Sequence, residues 1–235
     1  MKIAILQTDH LADSLISIYG DYDKIYGDML RSRIKEAEII VFPVVDDIFP
    51  QSIDDADGYI ITGSKYGAYE DVPFIHRLKL FIQDAAQAKK AIFGICFGHQ
   101  IIAEALGGKV EKWQGGWNCG VKDYHINDED AACDFPMNKV MLNAFHQDQI
   151  VELPKTARPF LSTQRCQYAG ISYFDGQIMS LQPHPEFSNQ FTEDLTKLRE
   201  DRLGEDVTQQ TLASLVHETK GEEIMDFIAD FFSRP

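Results

Sequence analysis

Ala91-Ile92-Phe93-Gly94-Ile95-Cys96-Phe97-Gly98-His99-Gln100 is the most informative stretch of this 235-residue chain. Ala91 to Ile95 is apolar on both faces, as a strand buried inside a parallel sheet is. Gly94 and Gly98 flank Cys96 symmetrically, and Gln100–Leu106 reads as a helix closed by Gly107-Gly108. Glycine, nucleophile and glycine at this spacing make a strand-to-helix elbow, here with Cys in place of Ser. The glycines serve a tight turn against which neighbouring backbone packs closely. Cys96 at such an elbow projects from the sheet at a helix N-terminus, where the helix dipole favours the thiolate. The Phe97 N–H faces the same pocket and can stabilise an oxyanion. Alone, the pattern fits a buried Cys in a glycine-containing βα turn equally well.

Outward from the elbow, short apolar runs alternate with amphipathic ones. Lys2–Leu6, Glu38–Val45 and Asp57–Gly63 read as strands; Tyr26–Ala37 and Pro73–Ala88 read as helices, the second opened by a proline. Strands apolar on both faces and alternating with helices imply an α/β fold, with a mostly parallel central sheet flanked by helices. After Lys109 the pattern shifts to short strands at Gly120–Ile126, Pro159–Thr163, Tyr168–Phe174 and Gln177–Leu181. These fit an antiparallel extension of the same sheet. The tail from Glu193 to Phe232 is helical, broken at Gly204 and Gly221, and its acidic helices read as a solvated face. With no repeat and no Pro/Ser linker, residues 1–235 are expected to form a single domain.

The composition narrows the function classes. Lys and Arg total 22 and Asp and Glu 37, a formal net charge of −15. A nucleic-acid binder needs a basic surface, so nucleic acid is not an expected partner. Nor is an anionic membrane, and no apolar run is long enough to span one. The N-terminus lacks a signal-peptide core. The four cysteines, Cys96, Cys119, Cys133 and Cys166, form no CxxC pair and match no zinc spacing, so no metal site is expected. A cytoplasmic, reducing compartment follows, in which a conspicuous Cys is reactive rather than bridged.

A cysteine nucleophile needs a base, and the base an orienting acceptor. Gln177–Gln182 reads as a strand running into Pro183-His184-Pro185-Glu186. Two prolines are expected to hold this stretch extended, with His184 and Glu186 on one side. His184 can take the thiol proton and return it to a leaving amine; Glu186 can fix its tautomer. Taken alone, His-Pro-Glu is an ordinary loop string. Cys119, Cys133 and Cys166 have no base motif nearby and read as inert. His99 reads as a structural residue of the helix's first turn, and Trp113 and Trp117 as packing.

Gly-Ile-Cys-Phe-Gly-His-Gln together with a downstream His-Pro-Glu resembles the class I, triad-type glutamine amidotransferase family over most of the chain. Asp71–Ile75 and Gly116–Gly120 resemble segments of its stand-alone, GMP-synthase-like subgroup. The resemblance implies a flavodoxin-like sheet and a Cys96–His184–Glu186 triad. It implies that the Gly63 and Phe97 N–H groups hold the oxyanion, Gly63 lying in a Thr62-Gly63-Ser64 loop. It implies that Gln100 contacts bound glutamine. The main chain of Phe145-His146-Gln147-Asp148 would hold its α-amino and α-carboxylate ends, with Gln147 where glycine is usual. The implied reaction is hydrolysis of glutamine's side-chain amide through a γ-glutamyl thioester, with no cofactor and no metal. The chain carries no Walker loop, pyrophosphatase loop or dinucleotide fingerprint, so any ammonia acceptor is expected on a separate synthetase subunit. Two alternatives stand beside this: a γ-glutamyl peptidase, and a non-catalytic regulatory module of the same fold.

Overall fold

The computed structural model describes residues 1–234. Strand β1 (Lys2–Gln7) alternates strictly: Ile3 and Ile5 enter the core on one face of the sheet, Ala4 and Leu6 the core on the other. Such two-sided burial is what a central parallel strand requires. β1 pairs in parallel with β2 (Glu38–Pro43) and β3 (Gly58–Ile61). β3 pairs in parallel with β4 (Ala91–Ile95), and β4 with β11 (Ile178–Leu181). An antiparallel extension follows: β10 (Cys166–Tyr173), β9 (Ala157–Thr163), β6 (Asn118–Ile126) and β7 (Lys139–His146). The sheet order is β2-β1-β3-β4-β11-β10-β9-β6-β7, whose first five strands follow the flavodoxin-like winding. The expected α/β class, with its mostly parallel sheet and antiparallel extension, is the one observed.

Helices cover both faces. On one lie α1 (Asp13–Tyr19), α2 (Tyr22–Arg33) and the C-terminal α8 (Gly221–Ser233); on the other, α3 (Pro73–Gln87) and α4 (Phe97–Ala105). Helices α5 (Asn189–Leu198), α6 (Glu200–Leu203) and α7 (Glu205–Ser214) follow β11, and α7 packs on β6.

Several boundaries differ from the sequence reading for local reasons. α2 starts at Tyr22 rather than Tyr26, because the Asp21 carboxylate accepts the Tyr22 N–H and caps the helix. It ends at Arg33, since Ile34 leaves the helical region. β2 stops at Pro43, and Val44–Asp46 wind into a short 3-10 turn. α4 starts at Phe97, directly after the elbow, not at Gln100. β7 went unread, although Val140, Leu142 and Ala144 alternate inward. So did β5 (Lys109–Lys112) and β8 (Asp148–Glu152), which form a separate two-stranded sheet. Gly204 does separate two helices, but Gly221 opens one, its missing side chain leaving room for the Pro185 carbonyl.

The largest correction concerns the tail. α8 is not a solvated face: Ile224, Phe227, Ile228, Phe231 and Phe232 are all buried. Phe231 packs edge-on against Phe93 of β4, ring centroids 5.4 Å apart. Its acids lie on the outer stripe, where Glu222 and Asp226 pair with Arg33 of α2. Among the described residues no helix is long and apolar enough to cross a membrane.

Candidate active site

Four loops leave the carboxyl ends of β1, β3, β4 and β11 and converge, the place where open α/β sheets bind ligands. Cys96 follows β4 with φ 54° and ψ −101°, a conformation that side-chain-bearing residues rarely adopt. Backbone strain of this kind costs about 1–3 kcal/mol and persists only when the surroundings impose it. Here they do. The Cys96 N–H donates to Leu181 O (2.8 Å), and the Cys96 carbonyl accepts from Gln100 N–H (3.1 Å). The elbow is thus pinned to β11 on one side and to α4 on the other.

Two amides, those of Phe97 and Gly63, belong to residues beside Cys96. Phe97 is the first residue of α4, and its N–H has no acceptor among the described residues. Gly63 follows β3; a Cβ built on it would lie 3.1 Å from His184 Cε1 and 3.8 Å from Cys96 Cβ. A side chain here would fill the space beside Cys96 and His184. The carbonyl of the same peptide plane, Thr62 O, accepts from Gly98 N–H (3.2 Å) and lies 3.0 Å from the Thr8 hydroxyl. That pair of contacts fixes the direction of the Gly63 N–H.

His184 is held from three sides. Its N–H donates to Asn143 O (2.8 Å), its Nδ1–H donates to Glu186 Oε1 (2.7 Å), and its ring stacks on Phe187 at 4.0 Å and 5°. The backbone is not extended as expected: Pro185-Glu186 form a turn closed by Phe187 N–H to His184 O (3.3 Å). The turn still returns the carboxylate to the ring. Glu186 Oε1 also accepts from the buried Tyr26 hydroxyl (2.8 Å), 160 residues away in sequence. Burial works to lower the His184 pKa. Charge on Cys96 and Glu186, and hydrogen bonds to both, outweigh it and raise the pKa from 6.5 to about 10.

The sign of that shift sets a pH window. Stability contributed by the His184 imidazolium is fully present below about 6.5 and lost as pH rises through about 10. Glu186→Gln removes one of the raising charges and the acceptor that orients the ring. It is expected to lower kcat by about 10²–10⁴ and to move the alkaline limb of the kcat profile to lower pH. Steady-state rates across pH check both effects.

The remaining expected residues lie in the same cleft, a space of about 210 Å³. Gln100 lines it, yet its amide N–H groups are directed to Asp148 O (2.9 Å) and Gln182 Oε1 (3.0 Å). These two bonds tie α4 to β8 and to the segment after β11. Phe145 is half-buried against Trp117, ring centroids 5.9 Å apart, and both line the cleft. Trp113 instead stacks with Arg165. His146 is buried; its Nδ1–H donates to Asp148 O (3.1 Å), and Nε2 accepts from Asn118 (3.0 Å). Burial lowers its pKa to about 4, so the ring stays neutral in one tautomer. His99 points into the structure, between Ser180 and Tyr168 O, and burial lowers its pKa to about 3.

Burial pushes Cys119 and Cys166 up to about 12, which suppresses their thiolates. Among the described residues no group of His, Cys, Asp or Glu could hold a metal ion. Sequence reasoning missed Tyr26, Thr8 and Asn143, which carry no local signal. It also missed Phe187, whose place beside His-Pro-Glu was a usable one.

The family model described as glutamine amidotransferase class-I matches residues 19–199. A glutamine amidotransferase-like protein of Schizosaccharomyces pombe is 30% identical over 242 residues, covering 97% of this chain and 95% of its own. Gamma-glutamyl peptidase 3 of Arabidopsis thaliana is 29% identical over 181 residues, 73% of this chain and 71% of its own. The crystal structure of a glutamine amidotransferase from Thermotoga maritima superposes with a TM-score of 0.78 at 18% identity, covering 99% of this chain and 98% of that one. The last comparison shows that the fold is shared.

Proposed function

The chain belongs to the class-I glutamine amidotransferase family, and on that premise we propose that it hydrolyses the side-chain amide of glutamine or of another γ-glutamyl compound. The observation that carries this is the meeting of Cys96, His184 and Glu186 beside Gly63.

The Cys96 sulfur attacks the γ-carbonyl carbon, and the carbonyl oxygen becomes an oxyanion held by the N–H groups of Gly63 and Phe97. The C–N bond breaks as His184, oriented by Glu186, gives its proton to the leaving nitrogen. A γ-glutamyl thioester remains on Cys96. Water, losing a proton to His184, attacks the thioester; glutamate leaves and the sulfur is regenerated. From glutamine the first product is ammonia, which a separate synthetase subunit would consume. From a γ-glutamyl peptide it is an amine, a second reading supported by the similarity to gamma-glutamyl peptidase 3.

The purified protein incubated with glutamine, and separately with a γ-glutamyl dipeptide, is expected to release glutamate with stoichiometric ammonia or amine. Release from neither substrate would overturn the proposal in favour of a non-catalytic module.

A further inference from the structure

The cleft holds more positive charge than chemistry at Cys96 accounts for. Arg199 closes α5, and Arg202 follows it within α6. Both of these line the cleft that contains Cys96. Lys112 of β5 lines it too, in register with Asp148 of β8. The chain has a net charge of −15, so carboxylates are plentiful. Yet Arg199, Arg202 and Lys112 form no ion pair among the described residues.

The acids that share the cleft leave these cations without a close partner. Asp9 takes the Lys65 ammonium and the Lys65 N–H, both at 2.8 Å. Glu70 accepts from Gly67 N–H (2.7 Å). Asp148, beside the Tyr69 ring, feels the charge of Lys112 and Arg202 but forms no ion pair with either, and Arg199 has no acid partner at all among the described residues. The Arg202 guanidinium lies 5.1 Å over the Trp117 ring. A guanidinium stacked on an aromatic face is held in place while its edge keeps N–H donors for a planar anion.

We propose that Arg199 and Arg202, assisted by Lys112, bind a carboxylate carried by the amine half of the substrate. The favoured substrates are then γ-glutamyl peptides with a free C-terminal carboxylate, rather than glutamine, which has nothing beyond its amide nitrogen to reach them. This rests on the γ-glutamyl hydrolase reading of Cys96.

The test compares kcat/KM for γ-glutamylglycine, γ-glutamylglycinamide and glutamine, in wild type and in the R199Q/R202Q double variant. At low ionic strength the wild type is expected to prefer γ-glutamylglycine over its amide by about tenfold or more, the effect of a charge-assisted bidentate contact. Added salt narrows that preference, and the double variant brings the ratio close to one. Equal wild-type rates on the peptide and its amide overturn the proposal without any variant being needed. An equal loss on all three substrates in the double variant overturns it as well. Hydrolysis of none of the three overturns instead the reading on which it rests.

Discussion

Cys96→Ala is expected to reduce hydrolysis of every γ-glutamyl substrate by about 10⁴-fold or more while leaving the fold intact. Removing the nucleophile of a covalent mechanism costs on this scale because the remaining groups act only through it. Alanine keeps the Cβ and so meets the same backbone constraint at φ 54°. The contacts that pin the elbow, Cys96 N–H to Leu181 O and Cys96 O to Gln100 N–H, are made by main chain and survive. Circular dichroism and melting of the variant should therefore match wild type within a few degrees. The His184 pKa is expected to fall, because the sulfur's charge is one of the main influences raising it. A loss of activity accompanied by unfolding would mean that Cys96 holds the elbow together rather than reacting.

Gly98→Ala is expected to be among the most damaging single methyls in the chain. A Cβ there would strike the Ile61 carbonyl oxygen, with Ile61 C at 2.9 Å and Ile61 Cβ at 3.0 Å. These are backbone and buried strand atoms, with no flexible end to yield. α4 must move away from β3, which breaks Gly98 N–H to Thr62 O and turns the Gly63 N–H off the proposed oxyanion position. Overpacking of this kind costs about 1–3 kcal/mol, and a domain of this size loses about 2–4 °C in Tm per kcal/mol. If the Gly63 N–H holds the oxyanion as proposed, misdirecting it is expected to cost a further 10²-fold or so in kcat. Gly27→Ala is the control: its Cβ meets the guanidinium end of Arg31, which can swing aside. Within α2 that change should leave Tm unchanged or raise it, since alanine favours a helix interior over glycine by about 0.5–1 kcal/mol. Equal melting of Gly98→Ala and wild type would refute the close packing of the elbow.

The elbow was legible because its chemistry and its sterics occupy consecutive residues. Gly94 and Gly98 are required by contacts between adjacent backbone segments, so residue type alone exposed the turn. His184 and Glu186 were legible as types, but not in geometry. Prolines predict an extended chain, whereas the structure closes a turn at Phe187, and the carboxylate reaches the ring all the same. Tyr26 was invisible: its hydroxyl meets Glu186 only because α2 packs beside the β11 loop, which no local pattern encodes. α8 was misread because the acid count was averaged over the whole tail. Its own apolar stripe, Ile224, Phe227, Ile228 and Phe231, is amphipathic in the ordinary way. β5 offered too little, four residues with one buried valine. The Arg199–Arg202 pair carries no motif, and only the fold brings it to the lining of the Cys96 cleft.

The central claim is a γ-glutamyl thioester on Cys96. Wild-type protein turning over a γ-glutamyl amide, quenched in acid and digested, should yield the peptide carrying Cys96 with a γ-glutamyl adduct that hydroxylamine removes. The peptides carrying Cys119, Cys133 and Cys166 should be unmodified. Turnover with no adduct on Cys96, or with the adduct on another cysteine, would contradict the account.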